Sequence, residues 1–408
     1  MLTSSKIEME VFSYFMPNGV YWRNRDVKQA LCYLSVICLV MIGIFFCFWP
    51  SSSATSKEHV KVRMESNDRG NSLDRPACVA RDVAHEAGIE NCADNHEELS
   101  KPLVSHKWIE FNIAIISDLD EDKSKVPGKK STWRSFFKKG VLRKHFDGKY
   151  SVEWKKENTV LTSKISEKGR GLELSELAMF HGKLYTVDDR TGIVYQIKDG
   201  KVIQWVILPD GDGSVSKGFK GEWMTVKDNT LYVGGLGKEW TTPTGELVNF
   251  NPQFVKSIGP SGDVVHHNWR NVYERVKTEL GIVSPGYVIH EAVTWSSAKR
   301  RWFFLPRRAS HEKYDDQSDE RRATNVLLSC NESFEDFTVV KIGEVIPTHG
   351  FSSFKFVPGT NDNIIVALRS VEDAGNISTY IMVFKVDGTI ILDETFIDND
   401  KFEGIEFL

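Results

Sequence analysis

The sequence has few cysteines and none of the short motifs that carry nucleophilic or redox chemistry. Only six of its 408 residues are cysteine, too few for a disulfide scaffold of this length. It also lacks a Walker P-loop, a G-x-S-x-G elbow, a dinucleotide-binding G-x-G-x-x-G after a strand, and a zinc-type His or Cys constellation. These absences argue against nucleophilic and redox catalysis.

A large excess of charge is missing as well. The formal net charge is -4 and the isoelectric point is near 6.3. Such a chain has no overall basic field to draw it onto nucleic acid. We therefore expect no nucleic-acid partner.

One long apolar run does stand near the N-terminus. Residues 30–49 contain no charged residue and are about long enough to cross a bilayer as a helix. A polar and charged segment precedes the run, whereas a cleaved signal peptide carries a shorter apolar core nearer the terminus. The sequence predicts a cytoplasmic tail over 1–29 and a retained signal anchor over 30–49.

Two N-glycosylation sequons, at Asn331 and Asn376, lie C-terminal to this run. Glycosylation of either would place the large C-terminal part in the secretory lumen. Residues 50–104 are polar and predict a stem, in which Cys78 and Cys92 could pair, and Cys330 is expected to be buried or free. We expect a single-pass type II protein of the endoplasmic reticulum or Golgi membrane, with a released soluble form as a further expectation.

The remainder, residues 105–408, has the texture of an all-β domain. Short apolar or alternating runs rich in Val, Ile, Tyr, Phe and Trp are separated by Gly, Asp, Asn and Lys. The predicted strands are Phe111 to Ser117, Lys183 to Asp188, Ile193 to Ile197, Val202 to Leu208, Thr230 to Gly234, Arg301 to Leu305, Ile364 to Leu368 and Thr379 to Val386. One isolated helix is expected over Trp269 to Leu280.

A loose repeat runs through this domain. Five copies, about 50 to 70 residues apart, each begin with a Ser or Glu before a short apolar segment, a polar turn and a second strand. The copies start at Ser175, Glu222, Glu291, Ser352 and Glu403. This pattern favours a five-bladed β-propeller with unequal loops over a β-sandwich. The last copy is truncated, and the apolar run near residue 111 could complete its blade.

If each copy opens an innermost strand, the five starting residues enter the central channel at one level. Three carboxylates and two hydroxyls would then converge, which is costly without a cation. Calcium suits a wide site of six to eight oxygens better than magnesium does. The repeat therefore predicts a central calcium site, to which Glu176, beside Ser175, could add a direct or water-mediated contact. A single one of these residues would more often be a solvated carboxylate or a turn serine.

Other acidic and basic residues follow strands, where loops commonly carry function. Asp118 and Asp120 form a D-x-D pair that could hold water or a metal, and Asp189 with Arg190 follows a later strand. Guanidinium groups at Arg190, Arg307 and Arg308 could bind phosphate oxygens. Structural salt bridges explain the same residues equally well.

At these positions the sequence closely resembles the calcium-activated nucleotidase, or apyrase, family. The resemblance covers nearly all of residues 105–408 and is therefore far more specific than any single motif. The matching stretches are EKGRGLELSEL, GKLYTVDDRTGIVYQI, WVILPDGDG, KGFKGEWMTVKD, LYVGGLGKEWTT, RWFFLPRRAS, PTHGFSSFKF and FEGIEFL.

The resemblance implies a five-bladed propeller with one channel calcium that hydrolyses nucleoside diphosphates, UDP and GDP in preference to ADP. The family's calcium positions fall on Ser175, Glu222, Glu291, Ser352 and Glu403, with Glu176 where relatives can carry Asp. Membrane-anchored relatives act in the endoplasmic reticulum and Golgi, where they remove the UDP left by glycosyl transfer. The partners expected are nucleoside diphosphates, a membrane and a second copy of the chain in a homodimer.

Our mechanistic hypothesis places Arg190 and Arg307 on the developing phosphate charge, and Asp118, Asp120 or Asp189 on the attacking water. Trp133 or Trp240 is a candidate for stacking on the nucleobase. A non-catalytic propeller that binds protein or glycan, with calcium only stiffening the channel, is the rival interpretation. A calcium-dependent lactonase or phosphodiesterase is a second one, although such enzymes usually have six blades.

Overall fold

The structure, a computed structural model, describes residues 100–408. The tail, the anchor, nearly all of the predicted stem, and Cys78 and Cys92 lie outside these residues. Among residues 100–408 no helix is both long enough and apolar enough to span a bilayer.

Five large antiparallel sheets and one two-stranded hairpin make up the described part of the chain. The first contains β1 (Leu103–Val104), β2 (Trp108–Ser117), β3 (Trp133–His145), β4 (Tyr150–Trp154) and β5 (Thr159–Ser163). The second contains β6 (Leu174–Phe180), β7 (Lys183–Asp188), β8 (Ile193–Lys198) and β9 (Lys201–Ile207). The third contains β10 (Trp223–Lys227) and β11 (Thr230–Gly234), then β14 (Phe254–Ile258) and β15 (Val264–Asn268) after a short hairpin of β12 (Trp240–Thr241) and β13 (Leu247–Asn249).

The last two sheets follow the same pattern. The fourth contains β16 (Tyr287–Ser296), β17 (Arg301–Ser310), β18 (Val326–Asn331) and β19 (Thr338–Lys341). The fifth contains β20 (His349–Phe356), β21 (Ile364–Asp373), β22 (Asn376–Lys385) and β23 (Ile390–Asp398), and β24 (Phe402–Phe407) ends the chain. The helices are α1 (Glu121–Ser124), α2 (Arg270–Glu279), α3 (Asp316–Asp319) and one 3₁₀ turn (Asn251–Gln253). The predicted strands and the isolated helix are confirmed.

The first strands of the sheets form a closed ring around the centre. In this ring β24 neighbours β6, and β6, β10, β16 and β20 follow in order until β20 returns to β24. Each sheet is therefore one blade of a five-bladed propeller, as the repeat predicts.

The C-terminal strand closes the propeller. Strand β24 pairs antiparallel with β2, with Ile405 opposite Ile115 and Phe407 opposite Ile113. The last residue, Leu408, donates its backbone N–H to the carbonyl oxygen of Asn112 over 2.9 Å. The first blade is thus assembled from both ends of the domain, which confirms the closure predicted from the truncated fifth repeat.

The hydrophobic core is divided among the contacts between blades. Five buried clusters occur, one for each pair of neighbouring blades. The cluster between the third and fourth blades is the most aromatic, and helix α2 packs Tyr273 and Val276 into it. Cys330, the only cysteine that the structure describes, is buried and free there. Each blade contributes to two of these clusters and therefore packs both of its faces against its neighbours.

Candidate metal and phosphate site

The five repeat residues lie at or beside interruptions of the strand pairing. On the inner strands Ser175, Glu291, Ser352 and Glu403 each fall at a shift of register, so none of them has a paired residue opposite. Glu222 directly precedes β10, and its backbone N–H donates to Gly234. Bulges re-aim side chains, and the repeat residues therefore escape the alternation that packs their neighbours between blades.

The two serines of this set offer oxygens without partners. Ser175 and Ser352 are 1% and 0% exposed, and neither Oγ atom has a hydrogen-bond partner among the described residues. A buried hydroxyl left unsatisfied costs about 1–3 kcal/mol. A cation that accepts both oxygens as ligands would remove this cost, so the donor set fits a hard metal such as calcium.

Glu222 and Glu403 are buried, Glu291 is partly buried, and all three line one cavity. Burial is the largest cause that raises the pKa of Glu222, Glu291 and Glu403, and neighbouring carboxylates raise each one further. The pKa of Glu222 rises to about 8. Their ionised forms need positive charge nearby. Lys220, Arg307 and Lys401 supply part of it, and a divalent cation would add to it.

Arg307 lies among these carboxylates. Its Nη1 atom donates to Glu291 and, over 3.1 Å, to Glu403, while Nη2 donates to Glu372. Because those donors are engaged, the structure places Arg307 as a counter-charge for the ring. Glu372 carries no signal in the sequence, since it lies at the outer end of β21.

The D-x-D pair is held by a lysine that the sequence analysis missed. Lys401 Nζ lies 3.0 Å from Asp118 Oδ2 and 2.7 Å from Asp120 Oδ2. The backbone N–H of Asp120 donates to Asp118 Oδ1, and Arg170 donates to Asp120 Oδ1. All four carboxylate oxygens of the pair are thus engaged. Lys401 reaches them only because β24 closes the first blade.

A second group surrounds Asp189. Its Oδ2 atom accepts a hydrogen bond from Lys220, whose Nζ also lies 2.7 Å from Glu222. Asp189 Oδ1 is buried and has no hydrogen-bond partner among the described residues. This oxygen is a free acceptor beside the repeat glutamates.

Glu173 joins the two groups and is a further residue that the sequence analysis missed. Oxygens of Asp118, Glu173 and Asp189 lie within 4.8 Å of one another. Arg170 binds Glu173 through both Nε and Nη2, and Arg190 Nε lies 3.9 Å from it. The three carboxylates form an acidic triad that could also hold a metal. The unpartnered serine hydroxyls distinguish the repeat residues from this triad.

Glu176 has a separate set of contacts. The hydroxyl of Ser353 donates to the Glu176 carboxylate, and its Oγ atom lies 2.8 and 2.9 Å from the two carboxylate oxygens. Lys355 Nζ lies 3.3 Å from the same carboxylate. The carboxylate also accepts the N–H of Leu177. These contacts join β6 to β20 across β24, where Gly404 leaves room because a Cβ there would lie 2.6 Å from the Glu176 Cα.

A cavity of about 360 Å³ is lined by many of these groups, although Ser175, Ser352, Glu173 and Glu176 are not among its lining residues. Its walls include the five residues predicted to be catalytic, namely Asp118, Asp120, Asp189, Arg190 and Arg307. They also include Glu222, Glu291 and Glu403. Trp133 and Trp240 are not on its walls: Trp133 is buried in the core between the first two blades. The aromatic ring that does line the cavity is Tyr314.

The fold and the site define a five-bladed propeller with a cavity lined by paired carboxylates, guanidinium groups and lysines. A family model described as Apyrase matches residues 119–408. Soluble calcium-activated nucleotidase 1 of Rattus norvegicus is 55% identical over 311 residues, 76% of this chain and 77% of the rat protein. Apyrase apy-1 of Caenorhabditis elegans is 49% identical over 73% of this chain and 84% of its own length.

The Apyrase of Cimex lectularius is 44% identical over 80% of this chain and 90% of its own length. The chain belongs to the apyrase family. It is accordingly a hydrolase with nucleotide phosphatase activity.

Proposed function

We propose that this protein hydrolyses nucleoside diphosphates to the monophosphate and phosphate in a calcium-dependent reaction, with UDP and GDP preferred to ADP. The calcium-activated relatives indicate calcium as the cofactor. The observation that carries the proposal is the charge of the cavity, whose walls hold ten carboxylates and six basic side chains. An anionic nucleotide would be repelled from such walls without a bound divalent cation.

The serine hydroxyls and glutamates of the repeat would hold this calcium. When bound, calcium attracts the phosphate oxygens and compensates the charge that develops on them. The five ligands are Ser175, Glu222, Glu291, Ser352 and Glu403. The unpartnered hydroxyls of Ser175 and Ser352 support this choice over the acidic triad.

Asp189 is the residue that we assign to the attacking water. Of the three candidate aspartates it alone has a carboxylate oxygen without a partner among residues 100–408, so it can accept a hydrogen bond from water or take its proton. Asp118 and Asp120 are occupied by Lys401 and Arg170. They position the cations of the cavity instead.

A substrate panel tests the activity. We expect the full chain with calcium to release phosphate from UDP and GDP faster than from ADP, UTP, GTP or ATP, and to release none with EDTA. Restoring calcium after EDTA should restore the rate. If no nucleotide yields phosphate, the chain is a non-catalytic binding propeller; if ADP or a triphosphate is the best substrate, the proposed preference is wrong.

We also propose that the chain is a single-pass type II protein of the endoplasmic reticulum or Golgi membrane, anchored by residues 30–49, where removal of UDP supports glycosylation. The sequon at Asn376 supports lumenal placement, because this residue is exposed at the start of β22. The side chain of Asn331 instead accepts the N–H groups of Ser333 and Glu335. The homodimer stays a prediction.

An N-glycosidase experiment tests the placement. Full chain made in animal cells should shift in electrophoretic mobility when an N-glycosidase is added, and the Asn376→Gln variant should lose most of that shift. The Asn331→Gln variant serves as the matched control and should keep it. An unshifted wild-type chain whose propeller is digested by protease added to the cytoplasmic side would contradict a lumenal domain.

A further inference from the structure

Arg308 is a buried cation of the cavity that forms no ion pair within the described part of the chain. Four of the other five basic side chains on the cavity walls are in close contact with a carboxylate, and Arg190 lies 3.9 Å from Glu173. The four close contacts are Arg170 with Glu173, Lys220 with Asp189, Arg307 with Glu291 and Lys401 with Asp118. Arg308 is 2% exposed, its Nη1 atom has no hydrogen-bond partner, and no ion pair joins it to any residue that the structure describes.

A bulge explains why two consecutive arginines reach the same cavity. Side chains alternate between the faces of a regular strand. In the pairing of β16 with β17, Ile289 lies opposite Arg308 whereas His290 lies opposite Pro306, so Arg307 is an extra residue. The bulge lets Arg307 turn to Glu291 and Glu403 while Arg308 also lines the cavity.

The surroundings of Arg308 penalise its charge. Burial, and then the neighbouring Arg307, lower the pKa of the Arg308 guanidinium from its ordinary value. Arginine nevertheless keeps its proton in proteins, so the group remains a cation with unused donors. The carboxylate of Asp319, on the cavity wall, offsets part of the lowering of the pKa of Arg308, but neither a hydrogen bond nor an ion pair joins the two residues in the described part of the chain. An incoming anion is the partner that would complete the hydrogen bonds of Arg308.

We propose that Arg308 binds a phosphate group of the nucleotide, while Arg307 holds the carboxylates of the calcium ring. The two arginines thereby have separate tasks, and substrate affinity depends on Arg308. A guanidinium matches a phosphate because it donates two parallel hydrogen bonds to it. This inference rests on the proposed nucleotide hydrolysis and adds the residue that recognises the substrate's charge.

Two matched variants, Arg308→Met and Arg307→Met, test the division. Without nucleotide, the melting temperature of Arg308→Met should equal or exceed that of the wild type, because an unpaired buried charge has been removed. Arg307→Met should melt at a lower temperature, because Glu291 loses its counter-charge and Glu403 keeps only Lys401. The Kd of Arg308→Met for an α,β-methylene nucleoside diphosphate should be at least about 10-fold weaker, and Arg308→Lys should recover part of it.

The opposite results would overturn the assignment. If Arg308→Met melts as low as Arg307→Met and binds the analogue as tightly as the wild type, Arg308 has a structural task only. The conservative Arg308→Lys variant provides the same affinity comparison should the methionine variant not fold.

Inorganic phosphate separates this inference from the proposed function. If the wild-type chain hydrolyses no nucleoside diphosphate, the proposed function falls. Phosphate binding that is lost in Arg308→Met would still support an anion site at Arg308, and phosphate binding that is equal in both proteins would overturn it.

Discussion

A Glu403→Gln protein is expected to release phosphate from UDP at least about 100-fold more slowly than the wild type at saturating calcium. Glutamine keeps the size of the side chain but removes the charge that would hold the cation, and Glu403 is 3% exposed among the other glutamates of the ring. Glu222→Gln should behave in the same way. The measurement is the rate of phosphate release as calcium is titrated, and the calcium concentration for half-maximal rate should rise.

Glu344→Gln is the control for this loss. Glu344 is exposed in the segment between β19 and β20, and the substitution removes the same charge from the chain. Its rate and calcium dependence should equal those of the wild type. Full activity in both Glu403→Gln and Glu222→Gln would show that the ring does not bind the catalytic calcium. The acidic triad of Asp118, Glu173 and Asp189 would then be the alternative site.

An Asp189→Asn protein is expected to lose about 100-fold or more in kcat, with KM for UDP nearly unchanged. The reason is the unpartnered Oδ1 atom, which can accept a proton in the aspartate but not in an amide. Steady-state kinetics over a range of UDP concentrations separates the two constants. Raising the pH of the assay should not restore the rate, because the variant lacks the proposed base.

The contact between Asp189 and Lys220 makes a structural loss the competing explanation. A melting curve of Asp189→Asn therefore accompanies the kinetics, and Asp199→Asn, in the exposed β8–β9 turn, is the matched control. A raised KM with unchanged kcat would assign Asp189 to substrate binding. A kcat equal to that of the wild type would assign activation of the attacking water to Asp118 or Asp120 instead.

The number of blades could be predicted because each blade is encoded by one continuous segment of the sequence. Each copy of the repeat carries its own apolar strands and turns, and the truncated copy at Glu403 requires a partner strand, which β2 supplies. The repeat also identified four residues that interrupt the inner strands, and Glu222, which directly precedes one. Their spacing survives unequal loops, since a propeller places the first strand of each blade at the same radius.

The contacts of the cavity could not be predicted in the same way. Lys401 meets Asp118 across 283 positions of the chain, and Glu372 reaches Arg307 from the outer end of a strand. Neither Lys401 nor Glu372 is one of the five repeat residues. Likewise, strand alternation would have sent Arg307 and Arg308 to opposite faces, and only the bulge in β17 brings both to one wall.

The central oxygen ring, then, is a prediction that the sequence makes by itself, because a repeated residue at a repeated position is expected to converge wherever the repeats close into a circle. The division of labour among the charges is a property of the tertiary structure. Whether an arginine is a counter-charge or a free donor depends on which carboxylates surround it, as the contrast between Arg307 and Arg308 shows. Those distances arise only after β24 closes the first blade and the five blades pack.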